Sequence, residues 1–297
     1  MNPLDPSPFQ GEVGELAASR VRVRGDAIHP HLSPPPERGR GLLGGAALAA
    51  VLLIGVAVAG VLCAGRPTSE ERVIAAYTTS LAGRSAGQVD NALRAARALD
   101  GAVVPSGGGF SFNRRVGPWS ADRGYRRAPV SYDGEIILDV GGGVCQLSTT
   151  LYGAALVGGM EIVERHRHFW PVTYAAPGLD AAVAFPRIDL RFRNLLPAAV
   201  RLRARRSGQR LVVELLSAAR GQRCTIERRR LAVHPAATLV RSDERLSPGQ
   251  VLRSNRGQAG QEVAVYRLRW AENGQPERTL ISVDSYPVLN RIMKIGP

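Results

Sequence analysis

Gly141-Gly142-Gly143-Val144-Cys145-Gln146-Leu147-Ser148-Thr149-Thr150-Leu151-Tyr152 is the stretch from which the rest of the chain is read. The three glycines allow a tight turn free of side chains after the apolar run Ile136-Ile137-Leu138. Leu147, Leu151, Ala154 and Ala155 then recur at helical spacing, and Gly158-Gly159 stops the pattern. The spacing predicts a helix with Cys145 in its first turn. Unpaired backbone N–H groups and the helix dipole favour negative charge there, so a thiol loses its proton more easily, and the thiolate is the reactive form. The same residue also suits a second reading, a small apolar side chain packed under a glycine turn.

Working outward, residues 70–81 are expected to form one helix, on Val73, Ile74, Tyr77 and Leu81. Val89, Leu93, Ala96 and Leu99 predict a second that ends at Asp100-Gly101. Short apolar runs follow: 135–140 before the glycine turn, then 162–168, 172–174, 181–185 and 188–192. Runs 200–204 and 211–215 flank Ser207-Gly208 as a hairpin. From about residue 228 glycines recur among strand-like runs, and Asn273-Gly274 marks another hairpin. Helices followed by strands predict an α+β domain over 66–220 and a small all-β module over 221–297.

The N-terminal portion differs. Residues 1–40, rich in proline and glycine, read as a flexible tail. Residues 41–65 are uncharged and apolar, long enough for one transmembrane helix. Arg38 and Arg40 before it favour the N-terminus inside, which predicts a single-pass membrane protein with residues 66–297 extracytoplasmic.

The formal net charge of +14 over 297 residues, with Lys294 the only lysine, points to an anionic partner. Aromatics make up 5 % and do not interleave with basic blocks, which argues against nucleic acid. Cys63 lies within the apolar run, so Cys145–Cys224 is the one intrachain disulfide that spacing allows.

A cysteine nucleophile needs a base within reach and a group that orients the base. Glu164-Arg165-His166-Arg167-His168 is the densest source of one. On a strand His166 and His168 would share a face, with Asp180 or Asp189 holding the ring. Gly142 and Gly143 amides are placed to hold an oxyanion, with Gln146 and Ser148 as further hydrogen-bonding groups. The alternatives are a zinc site at His166 and His168, for which no third ligand stands at a recognised spacing, and turn-capping roles for the two aspartates. The glycine turn lacks the lysine of a phosphate loop, and no cofactor or metal is expected.

Residues 105–113 (PSGGGFSFN), Val116-Gly117-Pro118, Gly124-Tyr125 and 141–152 (GGGVCQLSTTLY) form an ordered set with 164–168 (ERHRH), 178–181 (GLDA) and 189–194 (DLRFRN). In these residues the chain resembles the VanW-like family, and 221–297 resembles a small β-module named for its five glycines. The resemblance implies a bacterial cell-envelope protein, in which some family members act as peptidoglycan L,D-transpeptidases through a cysteine. It implies that Cys145 is the nucleophile and His168, or else His166, the base. Gln146, Asp180 and Asp189 then support catalysis, and Gly142, Gly143, Ser148 and Tyr152 lie toward substrate or oxyanion. The implied partners are stem peptides or wall glycan. Departures from the family pattern are Phe169, in place of a small hydroxyl residue, together with Ala182 and Ser106. A non-enzymatic reading stands beside this one, in which the same groove binds peptidoglycan or another glycan.

Overall fold

Within residues 70–81, expected as a helix, Arg72–Ser80 form a strand. The computed structural model describes residues 71–132, 135–270 and 274–297. Within it β1 (Arg72–Ser80) pairs antiparallel with β9 (Arg210–Ser217). The apolar positions of the segment fit either period, but Ala75, Tyr77 and Thr79 alternate inward, and Val73, Ile74, Thr78 and Thr79 are β-branched. A sheet partner 130 or so residues away decides the outcome, and local periodicity cannot see it.

The second helix is present as α1 (Ala86–Leu99). Ser85 caps it: its Oγ accepts from the Gln88 amide, and Gln88 Oε1 accepts from the Ser85 amide. Its buried stripe is Ala92, Ala95, Ala96 and Leu99. The strands β2 (Val103–Val104) and β8 (Val200–Ser207) complete a four-stranded sheet in the order β1-β9-β8-β2. β8 and β9 form the expected hairpin about Gly208.

β3 (Gly109–Ser111), the short helix α2 (Phe112–Val116), β4 (Arg127–Tyr132) and β5 (Glu135–Val140) lead to α3 (Val144–Val157). α3 is buried around nearly its whole circumference, and its polar side chains Gln146, Ser148, Thr149 and Thr150 all find hydrogen-bond partners inside the protein. Leu147, Leu151, Ala154 and Ala155 are fully buried against β1, β9 and α1. β6 (Glu161–Glu164) and β7 (Arg191–Arg193) join β3 in a three-stranded sheet.

The remaining strands form two sheets. One is β10 (Cys224–His234), β13 (Gly260–Trp270) and β14 (Pro276–Tyr286). The other is β11 (Thr238–Ser242), β15 (Arg291–Ile295) and β12 (Val251–Arg253). β13 and β14 pair antiparallel as the apolar runs predict, although Asn273 of the expected turn lies outside the described residues. Ile226 and Ile281 of this module pack on the main core, and the described residues belong to one unit.

The fold class therefore needs correction. The described chain is built chiefly of strands, with only three α-helices of 14, 5 and 14 residues, so the α+β expectation gives way to a mainly β architecture around one buried helix. Among the described residues no helix is long and apolar enough to cross a membrane. A 14-residue helix rises about 21 Å, short of the ~30 Å of hydrocarbon it would have to span. The expected tail at 1–40 and helix at 41–65 lie outside the described residues. The expectation of a single-pass protein with a membrane helix is not upheld.

Candidate active site

The glycine turn puts Cys145 where the sequence places it, for a reason visible in the backbone. Gly143 caps α3 at φ +109°, and a Cβ on it would collide with the Gln88 carbonyl in the first turn of α1. Only glycine permits both that conformation and that approach. Cys145, the second residue of α3, is half-buried and free. Its Sγ–H donates to the Val183 carbonyl at 3.4 Å. Cys224 is also a free thiol, so the one intrachain disulfide that spacing allows, Cys145–Cys224, is not formed.

His168 is the histidine that lines the same cavity as the thiol and acts on its proton affinity. Its Nδ1–H donates to Asp180 Oδ2 at 2.7 Å, and its backbone N–H donates to the same oxygen at 2.7 Å. Nε2 is left for the cysteine, with the Tyr174 hydroxyl 3.5 Å away. Asp180 is 1 % exposed and is further held by Arg165 Nη2 at 3.2 Å.

Burial alone would push the Cys145 thiol up, but the ring N–H and positive charge of the neighbouring His168 outweigh it and hold the thiol below its ordinary 9.0. Burial opposes the imidazolium too, yet Asp180 and the cysteine raise His168 to about 9. Burial opposes ionised Asp180 as well, but His168 and Arg165 lower its carboxyl to about 2. The three shifts share one direction, a thiolate and an imidazolium over a carboxylate.

The thiol opens on a cavity of about 270 Å³. Gly141, Gly142, Gly143, Gln146 and His168 form one wall, and Trp170, Pro171, Thr173, Tyr174, Arg84 and Leu289 form much of the rest. Among the described residues the amides of Gly142, Gly143 and Cys145 donate to no acceptor. Arg84 reaches Thr173 Oγ1 at 2.7 Å and lies 4.7 Å over the Tyr174 ring, with no carboxylate paired to it among the described residues. Nor do three His, Cys, Asp or Glu side chains gather there where they could share a metal ion.

Other sequence-predicted residues fall elsewhere. The strand expected over 162–168 ends at Glu164, so the shared face for the two histidines does not form. His166 points away to Glu164 Oε1 at 3.0 Å, and its side chain is 47 % exposed. Asp189 accepts from Ser111 Oγ at 2.6 Å and from the Asn113 amide at 2.8 Å, which secures α2 rather than the base. Ser148 and Thr149 are fully buried behind the thiol: Ser148 Oγ donates to the Ala181 carbonyl at 2.6 Å, and Thr149 Oγ1 accepts from the Ala181 amide at 3.0 Å. They stitch the cysteine helix to the residue after Asp180. Gln146 does line the cavity, and its Nε2 donates to the Ser80 carbonyl at 2.7 Å, tying α3 to β1. Tyr152 is fully buried beneath Arg165, 5.3 Å from its ring, and does not line the cavity.

Arg84, Tyr174, Arg165 and Tyr286 are absent from the sequence-based set. Tyr174 stands six residues past His168 and was open to notice; Arg84 and Tyr286 reach the site only through the fold.

The segment that supplies these groups matches a family model described as VanW like protein, over residues 87–216. Residues 87–216 are a VanW-like domain. This domain carries Cys145, His168 and Asp180. The chain is 37 % identical over 141 residues to the uncharacterized protein YoaR of Bacillus subtilis (strain 168), covering 48 % of this chain and 46 % of that protein. It is 31 % identical over 112 residues to the vancomycin B-type resistance protein VanW of Enterococcus faecalis (strain ATCC 700802 / V583), covering 36 % and 41 %. The match thus spans less than half the length of either relative. An IgA1 protease G5 domain structure overlaps 26 % of this chain and 92 % of its own, at 17 % identity and TM-score 0.20. The HP0197-G5 structure overlaps 25 % and 97 %, at 27 % identity and TM-score 0.15. TM-scores this low carry no weight for the VanW-like domain or for the module that follows it.

Proposed function

We propose that the VanW-like domain is a cysteine acyltransferase acting on peptidoglycan stem peptides, as an L,D-transpeptidase of the cell envelope. The observation that supports it is the triad: a thiol with lowered proton affinity, lining one cavity with His168, which Asp180 orients. The Cys145 thiolate attacks the carbonyl carbon of the peptide bond between a diamino acid and a terminal D-residue. The unpaired amides of Gly142, Gly143 and Cys145 receive the oxyanion. His168 gives its Nε2 proton to the departing amine, the carbon–nitrogen bond breaks, and a thioester remains. The side-chain amine of a second stem then attacks the thioester. Its proton passes to His168, and the thiolate leaves. Arg84, which pairs with no carboxylate among the described residues, is suited to the α-carboxylate of the D-residue that leaves.

The test is incubation of the whole chain with disaccharide-tetrapeptide muropeptides, wild type beside Cys145→Ala, read by mass spectrometry. Dimers, or loss of the terminal D-residue, with the wild type alone are expected. Unchanged muropeptides from folded wild-type protein would sink the enzyme reading and leave a binding groove.

A further inference from the structure

Tyr286 ends β14, in the C-terminal module, and is 1 % exposed. Its hydroxyl donates to Asp180 Oδ1 at 2.5 Å and accepts from the Gly178 amide at 2.7 Å. Two residues earlier, Asp284 Oδ1 accepts from Arg165 Nη1 at 2.5 Å, while the same guanidinium reaches Asp180 Oδ1 through Nη2 and the Asp180 carbonyl through Nε, at 2.7 Å. An ionised carboxylate offers about four lone-pair sites. Oδ2 takes two donors from His168 and Oδ1 takes Tyr286 and Arg165, so one donor comes from the module and another is clamped by it.

The loop that carries Asp180 lies directly on the module's sheet. Gly178 adopts φ +88°, and a Cβ there would stand 2.6 Å from Val265 Cγ2 in β13. Arg228 Nε on β10 donates to the neighbouring Pro177 carbonyl at 2.8 Å. A buried carboxylate with unfilled acceptor sites is costly and free to turn. Turning it would release the ring of His168.

We propose that Tyr286 is a positioning residue of the reaction centre, and that the C-terminal β-module, through Tyr286 and the Asp284–Arg165 link, sets Asp180 and so arms Cys145. This rests on the reading of Cys145 as a nucleophile. The module is then a working part of the VanW-like site, beyond any binding of its own.

The test is the pH profile of Cys145 alkylation by iodoacetamide in the whole chain, followed on the Cys145 peptide by mass spectrometry. Tyr286→Phe keeps the ring packed under Arg167, which lies 5.2 Å from it. Its expected effect is a titration midpoint moved up toward the ordinary thiol range, and alkylation at pH 6 slowed roughly tenfold, equivalent to about one pKa unit. In an Asp180→Asn background the same change adds nothing, because it acts through that carboxylate. A structural role alone would lower the melting temperature and leave the profile in place. Should Tyr286→Phe not fold, Asp284→Asn is read in the same way. A depressed wild-type midpoint that neither variant moves overturns the module's role and spares the nucleophile. An ordinary wild-type midpoint overturns both.

Discussion

Asp180 Oδ2 accepts both the ring Nδ1–H and the backbone N–H of His168, each at 2.7 Å. One oxygen thereby fixes the tautomer, the ring plane and the main chain of the base at once, which leaves Nε2 as the nitrogen that meets Cys145. Replacing the carboxylate by an amide places an N–H or a weaker acceptor opposite Nδ1. Asp180→Asn is expected to slow release of the terminal D-residue by about 10²–10⁴-fold, while His166→Ala leaves it within about twofold, since His166 pairs with Glu164 outside the cavity. Steady-state assays of both variants decide this, and equal losses would return His166 to candidacy.

The pair sets a pH window. His168 rises from 6.5 to about 9 on folding, so its contribution to stability is complete below about pH 6.5 and is lost as pH climbs through about 9. Asp180 falls from 3.8 to about 2, so its contribution is present above about pH 4 and is lost on acidification through about 2. Denaturant titrations from pH 6 to 10 are expected to show declining stability, with the decline reduced in His168→Gln. Turnover is expected to climb as the thiolate forms and to fall again near pH 9, where the imidazolium proton is lost.

Arg84 is the cation beside Tyr174 at the cavity wall. Arg84→Ala is expected to raise KM about tenfold or more for stems ending in a free carboxylate. Stems with an amidated end should show little difference between the two proteins. Arg84→Lys is expected to recover only part of the loss, since an ammonium keeps the charge and loses the planar fork and the stacking. An equal loss on both kinds of stem would remove Arg84 from substrate recognition.

Gly143→Ala meets two penalties, a positive φ and a collision with the Gln88 carbonyl. Strain of this kind costs about 1–3 kcal/mol, and the clash adds to it. Urea unfolding is expected to show a loss of at least that size, together with slowed Cys145 alkylation as the helix start shifts. Alanine at Gly83, where φ is also positive but the space around the Cβ is open, serves as the control for strain alone.

The helix that carries the thiol was legible because its evidence is local: glycines to turn, apolar residues at helical spacing, glycines to stop. α1 was legible for the same reason, as was the β8–β9 hairpin about Gly208. Residues 71–81 were misread because strand β1 is defined by its partner β9, which a short window cannot contain. His168 and Asp180 were found by chemistry, but the choice between the two histidines turned on where β6 ends and which way the chain runs after Glu164. The hydroxyl of Ser148, read as a site group, holds the Asp180 loop to α3 together with that of Thr149. Arg84 and Tyr286 left no local signal, since each joins the site across a long stretch of chain.

The Tyr286–Asp180 bond also has a history in time. The 106 residues that separate its ends take roughly 5–20 s to be synthesised. Through that interval a growing chain already contains Cys145, His168 and Asp180 but lacks the hydroxyl that completes the carboxylate's set of donors. On the assignment made for Tyr286, the thiol stays comparatively inert while the chain is being made. It becomes reactive only once β14 has been made and has docked.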